Sequence, residues 1–190
     1  MKFLVLLFAC LGLHVSSVSG FSTYVTTSGS TLSITTNFWS PHWYSGINLA
    51  PGAYLAGVDL FDTNLSGANL TDAVLFDADL SNANLSGANL SDADLTFALL
   101  VNANLTGANL SGANLTGAIF DFATFTDANL SNANLTDAAL FGANLTGATL
   151  TGAILNGAFL IGSNLSGADL SGAALSYPTY LQGAHLSGAY

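Results

Sequence analysis

A leucine returns every fifth residue from Leu55 to Leu175, and only Phe120 and Phe125 replace it in that run. The run holds 25 five-residue units in one register, and alanine stands two positions before the centre in 22 of them. A straight helix would rotate successive centres by about 140° and give them no common face. A flat strand would point residues five apart to opposite sides. The spacing therefore predicts a chain that bends once per unit, with alanine and leucine both pointing inward.

The unit reads Ala-(Asn/Asp)-Leu-(Ser/Thr)-Gly, as at residues 108–112. Asn, Asp, Ser, Thr and Gly are poor helix formers, and small residues of these types suit tight corners. In these units the chain resembles the pentapeptide repeat family, whose pattern is A-(D/N)-L-x-x, over roughly residues 47–190. The resemblance implies an all-β, single-domain fold, a right-handed quadrilateral parallel β-helix with four units per coil. The strict run would then make about six coils, or seven with its ends.

The two ends of the chain differ from the repeats. Residues 1–20 resemble a secretory signal, with Lys2 at the start, an apolar run too short to span a bilayer, and small residues before Phe21. We therefore expect an exported protein, located outside the cell, in the periplasm or in a secretory lumen. Residues 21–46 predict a cap over the first coil, because an open solenoid end exposes core side chains. Repeats occupy 47–177, and an extra residue near Pro178 makes 178–190 a last irregular coil or C-terminal cap.

Charge and composition limit the chemistry. The chain has 11 acidic residues, all of them Asp, and Lys2 is its only Lys or Arg. Direct binding to nucleic acid is therefore not expected, because phosphate contacts depend on basic side chains. No His occurs between His42 and His185, so the repeats contain neither a metal-ligand spacing nor a nucleophile–His–acid set. The sequence predicts no enzyme activity, no cofactor and no membrane span.

If four units form a coil, residues 20 apart stack on one wall, and the side chains outside the core can be sorted by wall. Two adjacent walls replace the polar consensus with apolar residues. A cluster of this kind often marks a contact surface, although single apolar residues are ordinary on protein surfaces. We call the candidate surface the contact wall, and we expect it to meet another protein or a second copy in a homodimer. Its members are Phe61, Phe76, Phe97, Leu99, Val101, Ile119, Phe141, Phe159 and Ile161.

The other two walls are polar and uniform. Asn precedes most centres and Ser or Thr follows them, at a repeat of about 4.8 Å along the axis. Such a rigid lattice could order water or bind ice, although soluble solenoids need polar walls in any case. We call this set the polar ladder. Its members are Asn64, Asn84, Asn104, Asn144, Asn164, Thr106, Thr126 and Thr146.

The preferred functional hypothesis is a secreted, non-enzymatic scaffold or binding protein that works through the contact wall. One alternative is an ice-binding or surface-binding protein that uses the polar ladder. Another comes from the resemblance, because some pentapeptide repeat proteins are acidic rods that bind DNA gyrase in place of DNA. The secretory signal disfavours this last hypothesis, since gyrase is cytosolic.

Overall fold

The computed structural model describes residues 16–18, 21–25, 31–35, 50–176 and 178–190. Three short strands precede the repeats and form one antiparallel sheet in the order β1-β2-β3. Their bounds are Ser16–Val18 for β1, Phe21–Val25 for β2 and Thr31–Thr35 for β3. β1 lies inside the predicted signal segment, and β2 and β3 lie inside the predicted cap. Most of residues 1–20, and the rest of the predicted cap, lie outside the described residues, so both assignments stay predictions.

From residue 50 onward the chain forms a rod of stacked coils. Parallel bridges join positions 20 apart, as between Asn89 and Asn109. Beside that bridge, the Asn109 amide donates to the Ala88 carbonyl at 2.9 Å, and the Leu110 amide donates to the Asn129 carbonyl at 2.7 Å. Four columns of bridged residues run along the rod, which confirms four units per coil. Since the longest columns hold seven residues, the rod rises about 29 Å between its first and last bridged positions.

Each unit turns the corner through a tight turn. The Ala113 amide donates to the Leu110 carbonyl at 3.1 Å, and Gly112 between them has φ +70°. A hydrogen bond from the amide of the fourth residue to the carbonyl of the first, with positive φ at the third residue but not at the second, defines a type II turn. We call that third residue the corner position; it follows each centre by two. Its φ is positive in every unit from 52 to 172. The period of five thus comes from one left-handed residue per unit.

Alanine and leucine fill the inside of the rod. The central residues from Leu65 to Leu165 have an exposed fraction of 0%, and the alanines two positions before them are buried as well. Phe120 and Phe125 pack edge to face, with 5.1 Å between ring centroids. Burial of each central Leu or Phe side chain contributes about 2 kcal/mol. The core is therefore the main stabilising feature of the coils.

Two inward positions carry a hydroxyl in place of alanine. Thr63 donates to the Leu60 carbonyl at 2.6 Å, and Ser163 donates to the Leu160 carbonyl at 2.8 Å. Each hydroxyl therefore finds its acceptor within its own turn. No buried polar side-chain atom in the described residues lacks a hydrogen-bond partner.

The register changes near the C-terminus. Ile154 bridges Ala174, 20 residues later, but Phe159 bridges Tyr180 and Asn164 bridges His185, both 21 residues later. One residue is therefore inserted between 174 and 180, in agreement with the longer spacing from Leu175 to Leu181. Tyr177 within this stretch lies outside the described residues. Bridging nevertheless continues past the insertion.

Candidate functional site

The centre of the contact wall is one column of bridged residues. The column begins with Asp59 and Asp79 and then becomes apolar, in the order Leu99, Ile119, Ala139, Phe159 and Tyr180. The residues that follow the centres on the same wall form a second file that includes Val101, Asp121, Phe141 and Ile161. The bridged column is therefore acidic in its first coils and apolar in its later ones. The second file keeps one charge among the later coils, Asp121, whose Oδ1 accepts from the Phe141 amide at 3.1 Å.

Exposure divides the contact wall into two groups. Phe61, Phe76, Phe97 and Leu99 are exposed, with Phe97 the most accessible of them at 54%. The remaining members are half-buried, because their neighbours in adjacent coils cover their flanks; they are Val101, Ile119, Phe141, Phe159 and Ile161. The half-buried group forms a packed apolar surface, and the exposed group extends it towards the neighbouring wall and the earlier coils.

An aromatic stack runs along the later coils of this wall. The rings of Phe141 and Phe159 stack with 6.0 Å between centroids, and those of Phe159 and Tyr180 with 4.7 Å. The interplanar angles are 18° and 2°. Tyr180 was not predicted as a member, because the inserted residue shifts it out of the strict period of five. Its place beyond Phe159 became visible only from the bridge between them.

Two exposed phenylalanines stand at corner positions beside this wall. Among the 11 corner residues other than glycine, nine are Asp or Asn, and the other two are Phe97 and Phe122, with φ +58° and +59°. Asp and Asn tolerate the left-handed conformation, whereas a bulky side chain there is a steric outlier. Phe122 is 64% exposed, so burial does not offset its strain. We call this pair the corner phenylalanines.

The sequence analysis identified Phe97 but missed Phe122. Both stand two places after a centre, and Phe97 was assigned to the neighbouring wall, whereas on the wall that carries Phe122 only the residues directly before and after the centres were sorted. A signal was present nonetheless. A phenylalanine at a position otherwise occupied by Gly, Asn or Asp departs from the repeat.

Each corner phenylalanine covers the corner glycine of the next coil. An ideal Cβ on Gly117 would lie 2.5 Å from Cε1 of Phe97, and one on Gly142 would lie 2.9 Å from the ring of Phe122. Phe97 also meets Phe76 edge to face, with 6.1 Å between centroids. The rings are therefore held against the rod surface at the two edges of the wall.

We expect Gly117→Ala to lower the free energy of unfolding by about 1–2 kcal/mol, since φ at Gly117 is +65° and the new methyl group would meet the Phe97 ring. Chemical denaturation would measure the loss. Gly107→Ala is the matched control, because its φ is +63° but no atom lies within 4 Å of the added Cβ. Adding Phe97→Gly to Gly117→Ala should recover the difference between the two glycine variants. Equal losses in both would contradict the close approach.

The polar ladder is hydrogen-bonded within the rod. Nδ2 of Asn84 donates to Oδ1 of Asn64 at 3.3 Å, and Nδ2 of Asn104 donates to Oδ1 of Asn84 at 3.4 Å. The Oδ1 atom of Asn104 also accepts from the Thr106 amide at 3.1 Å and from the Thr106 hydroxyl at 2.7 Å. In this part of the ladder the amides therefore connect successive coils and also close local turns.

The later coils repeat this pattern with hydroxyl acceptors. Nδ2 of Asn144 donates to Oγ1 of Thr126 at 3.1 Å, and Nδ2 of Asn164 donates to Oγ1 of Thr146 at 3.0 Å. The Thr146 hydroxyl in turn donates to Oδ1 of Asn144 at 2.6 Å. The Thr146 hydroxyl thus donates within its own unit and accepts from the next coil. This part of the ladder therefore has fewer polar groups free to bind a ligand.

Most carboxylates also have a local structural role. Six of the 11 Asp residues occupy left-handed corners, namely Asp62, Asp72, Asp77, Asp92, Asp127 and Asp137. Asp59 and Asp79 accept from backbone amides two residues later, at 3.0 and 2.9 Å. Hydrogen bonds from the side chain and the amide of Ser171, and from Thr151, hold the pKa of Asp169 below its usual range. These contacts leave the charges at the surface, where they set the sign of the field around the rod.

Within the part of the chain that the structure describes, no three His, Cys, Asp or Glu side chains are placed to hold a metal ion. The same residues include no helix of the length and apolarity needed to cross a bilayer.

The stacked four-sided coils define the chain as a β-helical solenoid. The family model for pentapeptide repeats matches residues 53–92, 88–121, 108–147, 118–157 and 143–176, which together span well over half of the sequence. The chain therefore belongs to the pentapeptide repeat family, and its rod is a right-handed quadrilateral β-helix. No curated protein shows a significant sequence match.

Several solved structures of pentapeptide repeat proteins are similar to the chain. HetL from the cyanobacterium Nostoc sp. strain PCC 7120, involved in regulating heterocyst differentiation, is 36% identical; the match covers 73% of this chain and 70% of HetL, with a TM-score of 0.45. A protein of the Arabidopsis thaliana thylakoid lumen is 32% identical over 46% of this chain and 65% of its own, with a TM-score of 0.40. QnrB1, a plasmid-mediated fluoroquinolone resistance protein, is 21% identical over 73% and 86%, with a TM-score of 0.47. These TM-scores are low, so the family assignment depends on the repeat matches.

Proposed function

We propose that this protein is an exported, non-enzymatic binding protein whose contact wall meets another protein. The observation that carries the proposal is the continuity of the apolar column at the centre of the contact wall. From Leu99 to Tyr180 the bridged column carries no charge, and the corner phenylalanines extend the surface at its edges. Contiguous exposed apolar surface on a soluble protein marks an interaction site more often than scattered residues do.

The polar ladder is assigned a structural role in this proposal. Its amide and hydroxyl groups bond to one another and to the backbone, as at Asn104, Thr106 and Asn144. A surface that recognises ice or a crystal needs its polar groups directed outward. The apolar side chains of the contact wall have no such hydrogen bonds to one another, so the contact wall is the better candidate for recognition.

The non-enzymatic part of the proposal is supported by the shape and the residue types of the rod. Acid–base catalysis needs two groups aimed at one substrate. The described carboxylates instead occupy corners or accept hydrogen bonds from backbone amides, as Asp79 does from Ser81 and Asp121 does from Phe141. Export is supported by the resemblance of residues 1–20 to a signal segment. N-terminal sequencing of the secreted protein should then give a first residue at or near Phe21.

Capture from the fluid that surrounds the protein in its native setting tests the wall. Wild type is compared with the double variant Phe141→Ser/Phe159→Ser, and with Ile154→Ser, which changes an apolar residue that is 37% exposed but is not one of the nine members of the contact wall. We expect a protein retained by wild type and by Ile154→Ser but lost by the double variant. Light scattering on the same samples would detect self-association. Retention that is equal for all three, or absent for all three together with a monomeric mass, would refute the proposal.

A further inference from the structure

The size of the contact wall limits what can cover it. Leu99 and Tyr180 are four coils apart, which places them about 19 Å from each other along the axis. The two files on the wall are about 7 Å apart, so with their side chains the surface is about 10 Å wide. Its flat area is therefore about 200 Å², against about 800 Å² per partner in a typical stable interface. Any partner, a second copy included, must therefore gain the rest of its contact from flanking residues such as the corner phenylalanines and the acidic first coils.

Charge disfavours a second copy. The formal net charge of the chain is −10, and Lys2 is its only Lys or Arg. Two rods packed wall against wall would bring two acidic surfaces together with no cation on the repeats to compensate them. Like charges placed opposite each other in an interface are unfavourable, whereas a partner of opposite sign is favoured. The partner of this wall should therefore be basic.

The backbone of the wall excludes the addition of a strand to its face. The amides of Leu99 and Ile119 already donate to Ala78 and Ala98 in the preceding coil, each at 2.9 Å, and the carbonyls of both are acceptors for Leu80 and Leu100. A peptide that adds to a sheet needs an open edge with unpaired groups. A partner on this face must instead present side chains, as an amphipathic helix does.

We propose that the contact wall binds one basic amphipathic helix of a partner protein, laid along the axis of the rod. This inference rests on the proposed function. The apolar stripe of the helix covers Leu99, Ile119 and Phe159, and its Lys or Arg residues lie over Asp59 and Asp79. A helix is about 10 Å wide, which matches the wall. The distance from Asp59 to Phe159 is five coils, about 24 Å, which corresponds to about 16 helical residues.

The corner phenylalanines are the anchors in this arrangement. Both adopt a conformation that is unfavourable for their side chain, and both remain more than half exposed. Residues with strained backbone conformations cluster at functional sites. Aromatic side chains are also enriched among the residues that contribute most to protein interfaces. Phe97 and Phe122 stand at the two edges of the wall, where they would contact the sides of a helix lying between them.

Fluorescence anisotropy with synthetic helices tests the inference. The probe is a labelled peptide of about 18 residues with leucines on one face and lysines in its last turns. A second peptide has glutamates in place of the lysines, and a third distributes the leucines around the helix. We expect wild type to bind the first peptide at least about tenfold more tightly than either of the others. Raising the salt from about 50 mM to about 500 mM should weaken that binding, because salt screens the contact with Asp59 and Asp79.

Matched variants locate the binding. Phe97→Gly/Phe122→Gly should weaken binding of the first peptide at least about tenfold, whereas Asn132→Gly, another left-handed corner, should leave it unchanged. Unchanged circular dichroism shows that each variant is folded. Equal binding of the lysine and glutamate peptides, no binding of any peptide, or full binding by the phenylalanine variant would overturn the inference. Wall-dependent capture of a native partner without such a helix would also overturn it, while the proposed function would stand.

Discussion

Leu130→Ala should lower the free energy of unfolding by about 3–4 kcal/mol. Leu130 has an exposed fraction of 0%, and its side chain fills the centre of a coil that has complete coils on both sides. Removing it loses the transfer free energy of the deleted groups and leaves a cavity. Because coils of a solenoid contact only their neighbours, the defect weakens the interfaces on both sides. Denaturant titration of both proteins measures the difference.

Leu175→Ala is the control for this substitution. Leu175 occupies the same place in its unit but is 46% exposed. The same chemical change should therefore cost less than about 1 kcal/mol. Equal losses at the two sites would mean that stability does not come from the stacked core, and it would remove the basis for treating the walls as rigid surfaces.

Asn109→Ala should lower the free energy of unfolding by about 2–3 kcal/mol, although the side chain lies on a polar wall. Nδ2 of Asn109 donates to Asn89 at 3.1 Å, and its Oδ1 accepts from the Ser111 amide at 3.2 Å and from Nδ2 of Asn129 at 3.1 Å. Three hydrogen bonds at about 1 kcal/mol each account for this loss. Thermal and denaturant unfolding would both report it.

Thr149→Ala tests whether the loss at Asn109 comes from its side-chain hydrogen bonds. Thr149 continues the same bridged column, since it pairs with Asn129, but its hydroxyl makes none of the side-chain hydrogen bonds seen at Asn109. Its substitution should change the free energy of unfolding by less than about 0.5 kcal/mol. If Thr149→Ala lowered the free energy of unfolding as much as Asn109→Ala does, the loss at Asn109 could not be assigned to its side-chain hydrogen bonds. A small loss at both sites would show that the hydrogen bonds of the Asn109 side chain add little to stability.

The sequence predicted the inner surface well, because the core depends on local periodicity. The step of two residues from alanine to leucine and the step of three back to alanine place both inside, and the central residues from Leu65 to Leu165 are fully buried. The sequence predicted the outer surface less completely. Phe122 was missed because only the residues directly before and after the centres were sorted on its wall, and Tyr180 was missed because an inserted residue moves it out of register.

The role of the polar ladder could not be read from the sequence. Residue types alone do not distinguish an amide that faces water from one that donates to the next coil. The contact between Nδ2 of Asn144 and Oγ1 of Thr126 joins residues 18 positions apart, one before and one after a centre. It depends on the height and offset of the stacked coils. The exposure of the contact wall depends on the same stacking, which leaves Phe97 half exposed and covers the flanks of Phe141.

The sequence by itself determined that this chain winds five residues at a time, with small residues at the bends and leucine within, because these features depend on residues close together in the chain. Only the tertiary structure decided which outer side chains meet. Rings such as Phe141 and Phe159 become neighbours through the rise from one coil to the next. That rise brings together residues about 20 positions apart, and the backbone hydrogen bonds between coils set its height.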